Sequence, residues 1–142
     1  MVNLTGVIRF FVWAASVFTS LVSAGLMAML YLPGGPATSL FHDVADTALR
    51  LEIVLTGVLL TLNIVAIAML ILHSTGRVKT RALLVIGVTL VVLGLVDLGH
   101  DVIGIQRSDA SSAVVDLMSM VHGVTMSLYA WWIDRRITVV QT

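Results

Sequence analysis

Four long apolar runs constrain this chain more than any other feature, because each is long enough to cross a membrane as a helix. The runs cover about residues 8–32, 51–72, 82–103 and 112–133. About 20 consecutive apolar residues suffice for a helix to span the hydrocarbon core, whereas a barrel strand needs only about 10. Spanning helices also satisfy their own backbone hydrogen bonds. The sequence therefore predicts an all-α integral membrane protein, with one transmembrane domain over residues 1–142.

The composition supports the same class and excludes several others. The chain is 58% hydrophobic and only 11% charged, whereas soluble domains are about a quarter charged. It has no cysteine, which excludes disulfides, thiolate metal sites and Cys nucleophiles. There is no basic excess of the kind that binds nucleic acid, so the expected partner is the lipid bilayer. The first run is about twice as long as a signal-peptide apolar region, and it is interpreted as a retained helix.

The charged residues are sorted between the two sides of the predicted membrane. Lys and Arg near the ends of spans favour the cytoplasmic side. Six of the eight lie on one side: Arg9, Arg77, Lys79, Arg81, Arg135 and Arg136. Seven of the eight acids lie on the other side: Asp43, Asp46, Glu52, Asp97, Asp101, Asp109 and Asp116. This pattern predicts an antiparallel four-helix bundle in the cell inner membrane, with both termini cytoplasmic.

The segment 38–50, between the first two runs, has an amphipathic pattern. His42, Asp46 and Arg50 share one helical face at i, i+4 and i+8. The apolar positions Leu40, Val44 and Ala48 lie on another face. The pattern predicts a short amphipathic helix on the outer surface between spans one and two.

Ionisable side chains collect toward the outer end of the bundle and form the candidate site. The predicted metal-ligating residues are His42, Asp46, Glu52, Asp97, His100, Asp116 and His122. Folding span three back on span four near residue 108 would bring His100 level with Asp116, and Asp97 level with Ser119. Imidazole and carboxylate together suit a divalent metal or a proton relay. The sequence therefore predicts an outer vestibule that attracts cations, protons or a metal.

The members of this cluster carry different expectations. A charged group at a helix centre costs about 2.5–3.5 kcal/mol, so the deepest residues, Asp97 and His122, carry the strongest functional expectation. Asp116 has an alternative interpretation as a first-turn acid of the fourth helix. Asn63 is expected to form an interhelical hydrogen bond, and His73 to have no special role. Four acids are interpreted as solvated interfacial charges: Asp43, Asp46, Asp101 and Asp109.

Two stripes of small residues allow close helix approach. They are Ser16, Ser20, Ala24 and Ala28 on span one, and Ser119, Gly123 and Ser127 on span four. If they do not meet inside one chain, they favour contact with other helices. The leading functional prediction is a small subunit of a homo- or hetero-oligomeric membrane assembly, with a channel, transport or accessory role.

Two alternatives remain open. A haem- or pigment-binding subunit would use His100 or His122 as cofactor ligand, with b-type haem as one candidate. Their different depths count against a haem held by both. A metal-dependent membrane enzyme is the second alternative. The sequence offers no nucleophile pattern for it and no predicted catalytic residue, so a non-enzymatic role is favoured.

The layout resembles the YqhA-like family of small bacterial membrane proteins. The likeness consists of similar length, Arg9-Phe10 at the start of span one, Glu52 at the head of span two, and Asp97 near the outer end of span three. The stretch from Asp97 to Asp101 and the pair Trp131-Trp132 depart from the family pattern. The family has no assigned biochemical role, so the resemblance implies a fold and no function.

Overall fold

A computed structural model describes residues 4–37, 47–103 and 110–140, and this part of the chain is helical apart from its turns. The four helices are α1 (Leu4–Tyr31), α2 (Thr47–Ser74), α3 (Thr80–Ile103) and α4 (Ala110–Val140). Each is long and apolar enough to cross a membrane. The all-α prediction with four candidate spans is confirmed.

The helices extend beyond the predicted spans. α2 begins at Thr47, so residues 47–50 of the predicted amphipathic segment belong to this helix. No proline or glycine separates Thr47 from Leu51, and nothing in that stretch would end a helix. The rest of the segment, with His42 and Asp46, lies outside the described residues. A separate outer helix is therefore not shown.

Glycine and a histidine shape the turns that join the helices. α1 ends before Gly34, whose φ of 86° suits a residue without Cβ. Gly76, with φ of 76°, performs the same function between α2 and α3. Nδ1 of His73 lies 3.0 Å from the carbonyl oxygen of Val78, and the imidazole packs edge-on against Tyr129. His73 thus ties this turn to α4, in agreement with its interpretation as a residue without a chemical role.

Unlike a water-soluble protein, the bundle has a largely apolar surface and many polar side chains in its interior. Large apolar side chains lie on the surface, with Phe10 and Met29 about 70% exposed. The buried polar residues are Ser16, Thr19, Ser20, Ser23, Asn63, Asp97, Asp101, Asp116, Ser119 and His122. Such a surface is poorly suited to water but matches hydrocarbon, and together with the four long apolar helices it suggests a membrane-embedded protein.

Helices α3 and α4 approach each other closely at glycine. A Cβ added to Gly87 would lie 2.5 Å from Oγ of Ser127, and one added to Gly123 would lie 2.5 Å from the carbonyl oxygen of Gly87. Farther along the same interface, a Cβ on Gly94 would lie 2.7 Å from Cγ of Met120. The two backbones can be this close only because no side chain separates them. These contacts fix the register of α3 on α4.

The small-residue stripes are largely used inside the chain. α1 packs on α2 and α4, α3 packs on the same two helices, and α2 meets α4 between them. Ser16 and Ser20 contact α4 and α2, while Ser119 and Gly123 contact α2 and α3. Ala24 and Ala28, the other half of the α1 stripe, are exposed, so only the buried half of that stripe is used inside the chain and the oligomer stays a prediction.

The α3–α4 contact predicts a specific response to added volume. Gly123→Ala should destabilise the protein by about 1–3 kcal/mol, because the new methyl group meets backbone that must move. Gly99→Ala is the matched control, since its Cβ would have no heavy atom within 4 Å and alanine favours helix. Thermal unfolding in one detergent measures both. Equal transition temperatures for the two variants would contradict the packing described.

Candidate functional site

Polar side chains in the interior of the bundle form two distinct groups. The first, termed the inner polar network, consists of Ser16, Ser20, Asn63, Ser119 and His122. The second, termed the carboxyl pair, consists of Asp97 and Asp116. Both groups are almost completely shielded from solvent. They differ in whether their polar atoms have partners.

The inner polar network joins three helices through side-chain hydrogen bonds. Nδ2 of Asn63 donates to Oγ of Ser119 over 2.7 Å, and Nδ1 of His122 lies 2.8 Å from Oδ1 of Asn63. Nε2 of His122 lies 3.0 Å from Oγ of Ser16. The hydroxyl of Ser20 donates to the backbone carbonyl of Asn63 over 2.8 Å. The predicted interhelical hydrogen bond of Asn63 is confirmed.

This network leaves His122 without a nitrogen for other chemistry. Because Nδ2 of Asn63 donates to Ser119, its Oδ1 accepts Nδ1–H of His122, and in the neutral ring Nε2 accepts the hydroxyl of Ser16. A metal or haem iron would have to displace Ser16 or Asn63 from the imidazole. The geometry therefore favours a structural role for His122, which links α1, α2 and α4, over a role as a metal or haem ligand.

The carboxyl pair is not held by hydrogen bonds of this kind. Asp97 on α3 is 1% exposed and Asp116 on α4 is 0% exposed. Their carboxyl groups lie within hydrogen-bonding reach of each other. Among the described residues, no donor forms a hydrogen bond of good geometry with any of the four oxygens, and the nearest hydroxyl is that of Thr56 beside Asp97. An ionised carboxylate only accepts hydrogen bonds, so the two groups can bond to each other only when at least one carries a proton.

The surroundings of the carboxyl pair are acidic and aromatic. Glu52 and Asp101 lie near enough to interact electrostatically with Asp116, and Tyr31 and His100 interact in the same way with Asp97. The Tyr31 hydroxyl donates to the backbone carbonyl of Ile53, which holds the ring beside Gly57. The largest charge effects on the pair come from these acids and from His100.

The glycine contacts explain why the two acids meet. A Cβ on Gly94 would lie 3.2 Å from the backbone oxygen of Asp116, and Asp97 follows Gly94 by one turn. The predicted register, with Asp97 level with Ser119 and His100 level with Asp116, is therefore wrong by about one turn. The prediction assumed a pivot near residue 108, whereas packing of Gly87 and Gly94 on α4 sets the register.

Two further interpretations of single acids are wrong. Asp101 is only 5% exposed, so it is not a solvated interfacial charge. It continues the buried face of α3, which runs through Leu83, Ile86, Gly87, Leu90, Gly94 and Asp97. Asp116 lies more than one turn beyond Ala110, where α4 begins, and so is not a first-turn acid.

The predicted site residues thus separate into three sets. Asp97 and Asp116 lie together, Glu52 and His100 are near enough to act on them through charge, and His122 belongs to the inner polar network. His42 and Asp46 lie outside the described residues. Within the described ranges, no group of three or more His, Asp or Glu side chains is arranged to hold a metal ion. No signal in the sequence pointed to Tyr31 beside the pair, whereas the seven-residue spacing of the buried α3 face would have revealed Asp101.

Comparison with known proteins adds no further constraint. No family model, curated protein or solved structure matches the chain. The likeness to the YqhA-like family therefore gains no support, and the functional argument depends on the geometry of the site.

The inner polar network predicts the cost of removing its central residue. Asn63→Leu keeps a similar volume but deprives both His122 and Ser119 of a partner, so it should destabilise the bundle by about 1–3 kcal/mol. Thr61→Ala on the same helix is the control, because its exposed hydroxyl bonds only to the α2 backbone. Unfolding in mixed detergent micelles provides the measurement. A loss no larger than that of the control would show that the network is not stabilising.

Proposed function

We propose that this protein is a small transport-type membrane protein that takes up and releases protons or cations at the carboxyl pair. In this proposal the four helices form an antiparallel bundle in the cell inner membrane, with both termini cytoplasmic. The carboxyl pair then lies in the outer half of the bundle. The observation that carries the proposal is that two acids are buried side by side, and that among the described residues no donor forms a hydrogen bond of good geometry with their four oxygens.

The free-energy cost of these acids is the reason for a functional interpretation. A buried polar group without a partner destabilises a fold by about 1–3 kcal/mol, and a buried charge costs more. Alanine or leucine at positions 97 and 116 would avoid that cost. A proton shared between the carboxyl groups, or a cation bound by both, supplies the missing partner. Carboxyl groups whose only bonding partner is an exchangeable proton or cation are suited to taking up and releasing that ion.

The apolar layer next to the inner polar network favours controlled exchange over an open pore. Val12, Leu70, Leu83, Met126 and Ala130 are buried together on the cytoplasmic side of His122 in the proposed topology. These five side chains offer no oxygen that could replace the hydration shell of an ion, while the buried Oγ of Ser127 and the hydroxyl of Tyr129 lie in the same stretch of α4. An ion that reaches the carboxyl pair from outside would therefore stop there until the helices rearrange.

The alternative functions have less support from the geometry. His100 is the remaining candidate ligand for haem or a pigment, since its Nδ1 has no hydrogen-bond partner among the described residues. A visible absorption band that disappears in His100→Gln would favour that alternative. No observation on the described residues supports a metal-dependent enzyme. Assembly with other membrane subunits or with a second copy stays a prediction from sequence, and the bilayer is the partner that the exposed apolar surface requires.

Carbodiimide labelling tests the carboxyl pair directly. Dicyclohexylcarbodiimide enters apolar sites and reacts with protonated carboxyl groups, so it should modify Asp97 or Asp116 and should react more slowly as the pH rises. Mass spectrometry of the protein purified in mild detergent locates the label. Asp97→Asn with Asp116→Asn should abolish it, and Asp109→Asn should not. Labelling that avoids both residues of the pair at every pH would refute the proposal.

Single-cysteine variants test the topology, and the chain has no native cysteine to interfere. An impermeant thiol reagent added to intact cells should label a cysteine at position 109 and should reach position 77 only after the membrane is opened. The reason is the positive-inside rule, which places the exposed Arg77 loop in the cytoplasm. The opposite labelling pattern would invert the topology and place the carboxyl pair in the inner half.

A further inference from the structure

We infer that the carboxyl pair and Ser23 together form a binding site for an alkali cation, at which one monovalent cation replaces one proton. This inference rests on the proposed function and specifies its substrate class. It depends on three points: a third buried oxygen at the same depth as the pair, the kind of atoms that would bind the ion, and the cost of net charge inside the bundle.

Ser23 is the third oxygen. It lies on the packed face of α1, is 0% exposed, and its hydroxyl has no hydrogen-bond partner among the described residues. Contacts one turn away give its level in the bundle. Ser20 bonds to Asn63, and Asn63 bonds to Ser119, so Ser20 and Ser119 lie at similar depth. Ser23 is one turn from Ser20, and Asp116 is one turn from Ser119 in the same direction along the bundle.

The donor set selects the chemical class of the ion. The pair and Ser23 offer carboxyl and hydroxyl oxygens, and Thr56 lies beside Asp97 with another hydroxyl. Oxygen ligands suit hard cations, whereas copper and zinc favour nitrogen and sulfur. The nearest imidazole below the pair, that of His122, already bonds through both nitrogens. His100 is a single imidazole beside the pair, and no group of three or more His, Asp or Glu among the described residues is arranged to hold a transition metal.

Coordination number favours a monovalent ion over a divalent one. Ca²⁺ takes about six to eight oxygen ligands, and Mg²⁺ usually keeps several waters. Even with both carboxyl groups bidentate, the pair and one or two hydroxyls supply only about five or six oxygens, at or below the lower limit for Ca²⁺. The near-complete burial of Asp97 and Asp116 leaves little room for waters to complete the shell of either divalent ion. A small alkali cation such as Na⁺ or Li⁺ needs fewer ligands and binds them less strongly, which suits release.

Charge balance sets the stoichiometry. The largest charge effects on the pair come from other acids and from His100, and net charge in a low-dielectric interior is costly. The pair is neutral with two protons. It is neutral again with one proton and one monovalent cation, so binding of the cation releases one proton from the pair to water. Exchange of one cation for one proton moves no net charge across the membrane.

Proteoliposomes loaded with a pH-sensitive dye test the inference. An inward gradient of Na⁺ or Li⁺ should drive protons outward, whereas equal gradients of Ca²⁺ or choline should not. The initial rate should be the same when valinomycin and K⁺ set the membrane potential to zero or to a negative value. The same alkali cations should slow carbodiimide labelling of the carboxyl pair in detergent.

Variants of Ser23 test the third ligand. Ser23→Ala should raise the half-saturating Na⁺ concentration about fivefold, as expected for loss of one oxygen contact. Ser23→Thr keeps the hydroxyl and should restore the value toward that of the parent protein. Thr61→Ala, which removes an exposed hydroxyl, is the control and should change nothing. Elution as a single species in size-exclusion chromatography shows that each variant is folded.

The outcomes separate this inference from the proposed function. If carbodiimide labels the pair, but alkali cations neither slow the labelling nor drive proton movement, the alkali-cation site is overturned. Proton binding by the pair would still stand. Absence of labelling would refute the proposed function itself. Exchange that responds to membrane potential would overturn the one-for-one stoichiometry, and exchange driven by Ca²⁺ would overturn the ion class. An unchanged Na⁺ dependence in Ser23→Ala would exclude Ser23.

Discussion

The close contact between α3 and α4 at glycine is the constraint on which the rest of the structure depends. Gly87 and Gly123 allow the two backbones to touch, and Gly94 lies against the backbone of Asp116. Helices that met through leucine would lie farther apart, and their register could differ by a turn. Asp97 thus comes close to Asp116 because the glycines elsewhere on the interface have no side chains. The two acids themselves do not attract each other.

The sequence predicted the general class of the structure well and its register poorly. Four helical spans follow from the length of the apolar runs, and the hydrogen bond of Asn63 follows from the cost of an amide in the middle of a span. The pairing of Asp97 with Asp116 did not follow, because a one-turn shift preserves the hydrophobic pattern of both helices. Asp101 was misplaced for a related reason: its position near a helix end suggested solvent, whereas its spacing from Gly94 and Asp97 placed it on the buried face.

Depth in the membrane and hydrogen-bond satisfaction are separate criteria for a functional residue. His122 and Asp97 both appeared costly from sequence, since both lie within apolar spans. The structure distinguishes them, because His122 has a partner on each nitrogen and Asp97 has no hydrogen bond of good geometry among the described residues. A satisfied buried group gives the fold specificity and stability. An unsatisfied one keeps its capacity to bind, so it is the better candidate for chemistry even when it is less deep.

The two polar groups also depend on each other mechanically. Ser119 bonds to Asn63 and lies one turn from Asp116 on α4, so the network holds the segment of α4 that carries one acid. Gly94 and Gly87 hold the segment of α3 that carries the other. Each acid is therefore positioned by a different helix contact, and a small shift of α3 along α4 would separate the carboxyl groups without breaking the inner polar network. Such a shift would change the affinity of the pair for a proton or a cation, because binding by both groups requires that they remain adjacent. If the carboxyl pair exchanges ions as proposed, such a shift would change its occupancy while the centre of the bundle stays intact.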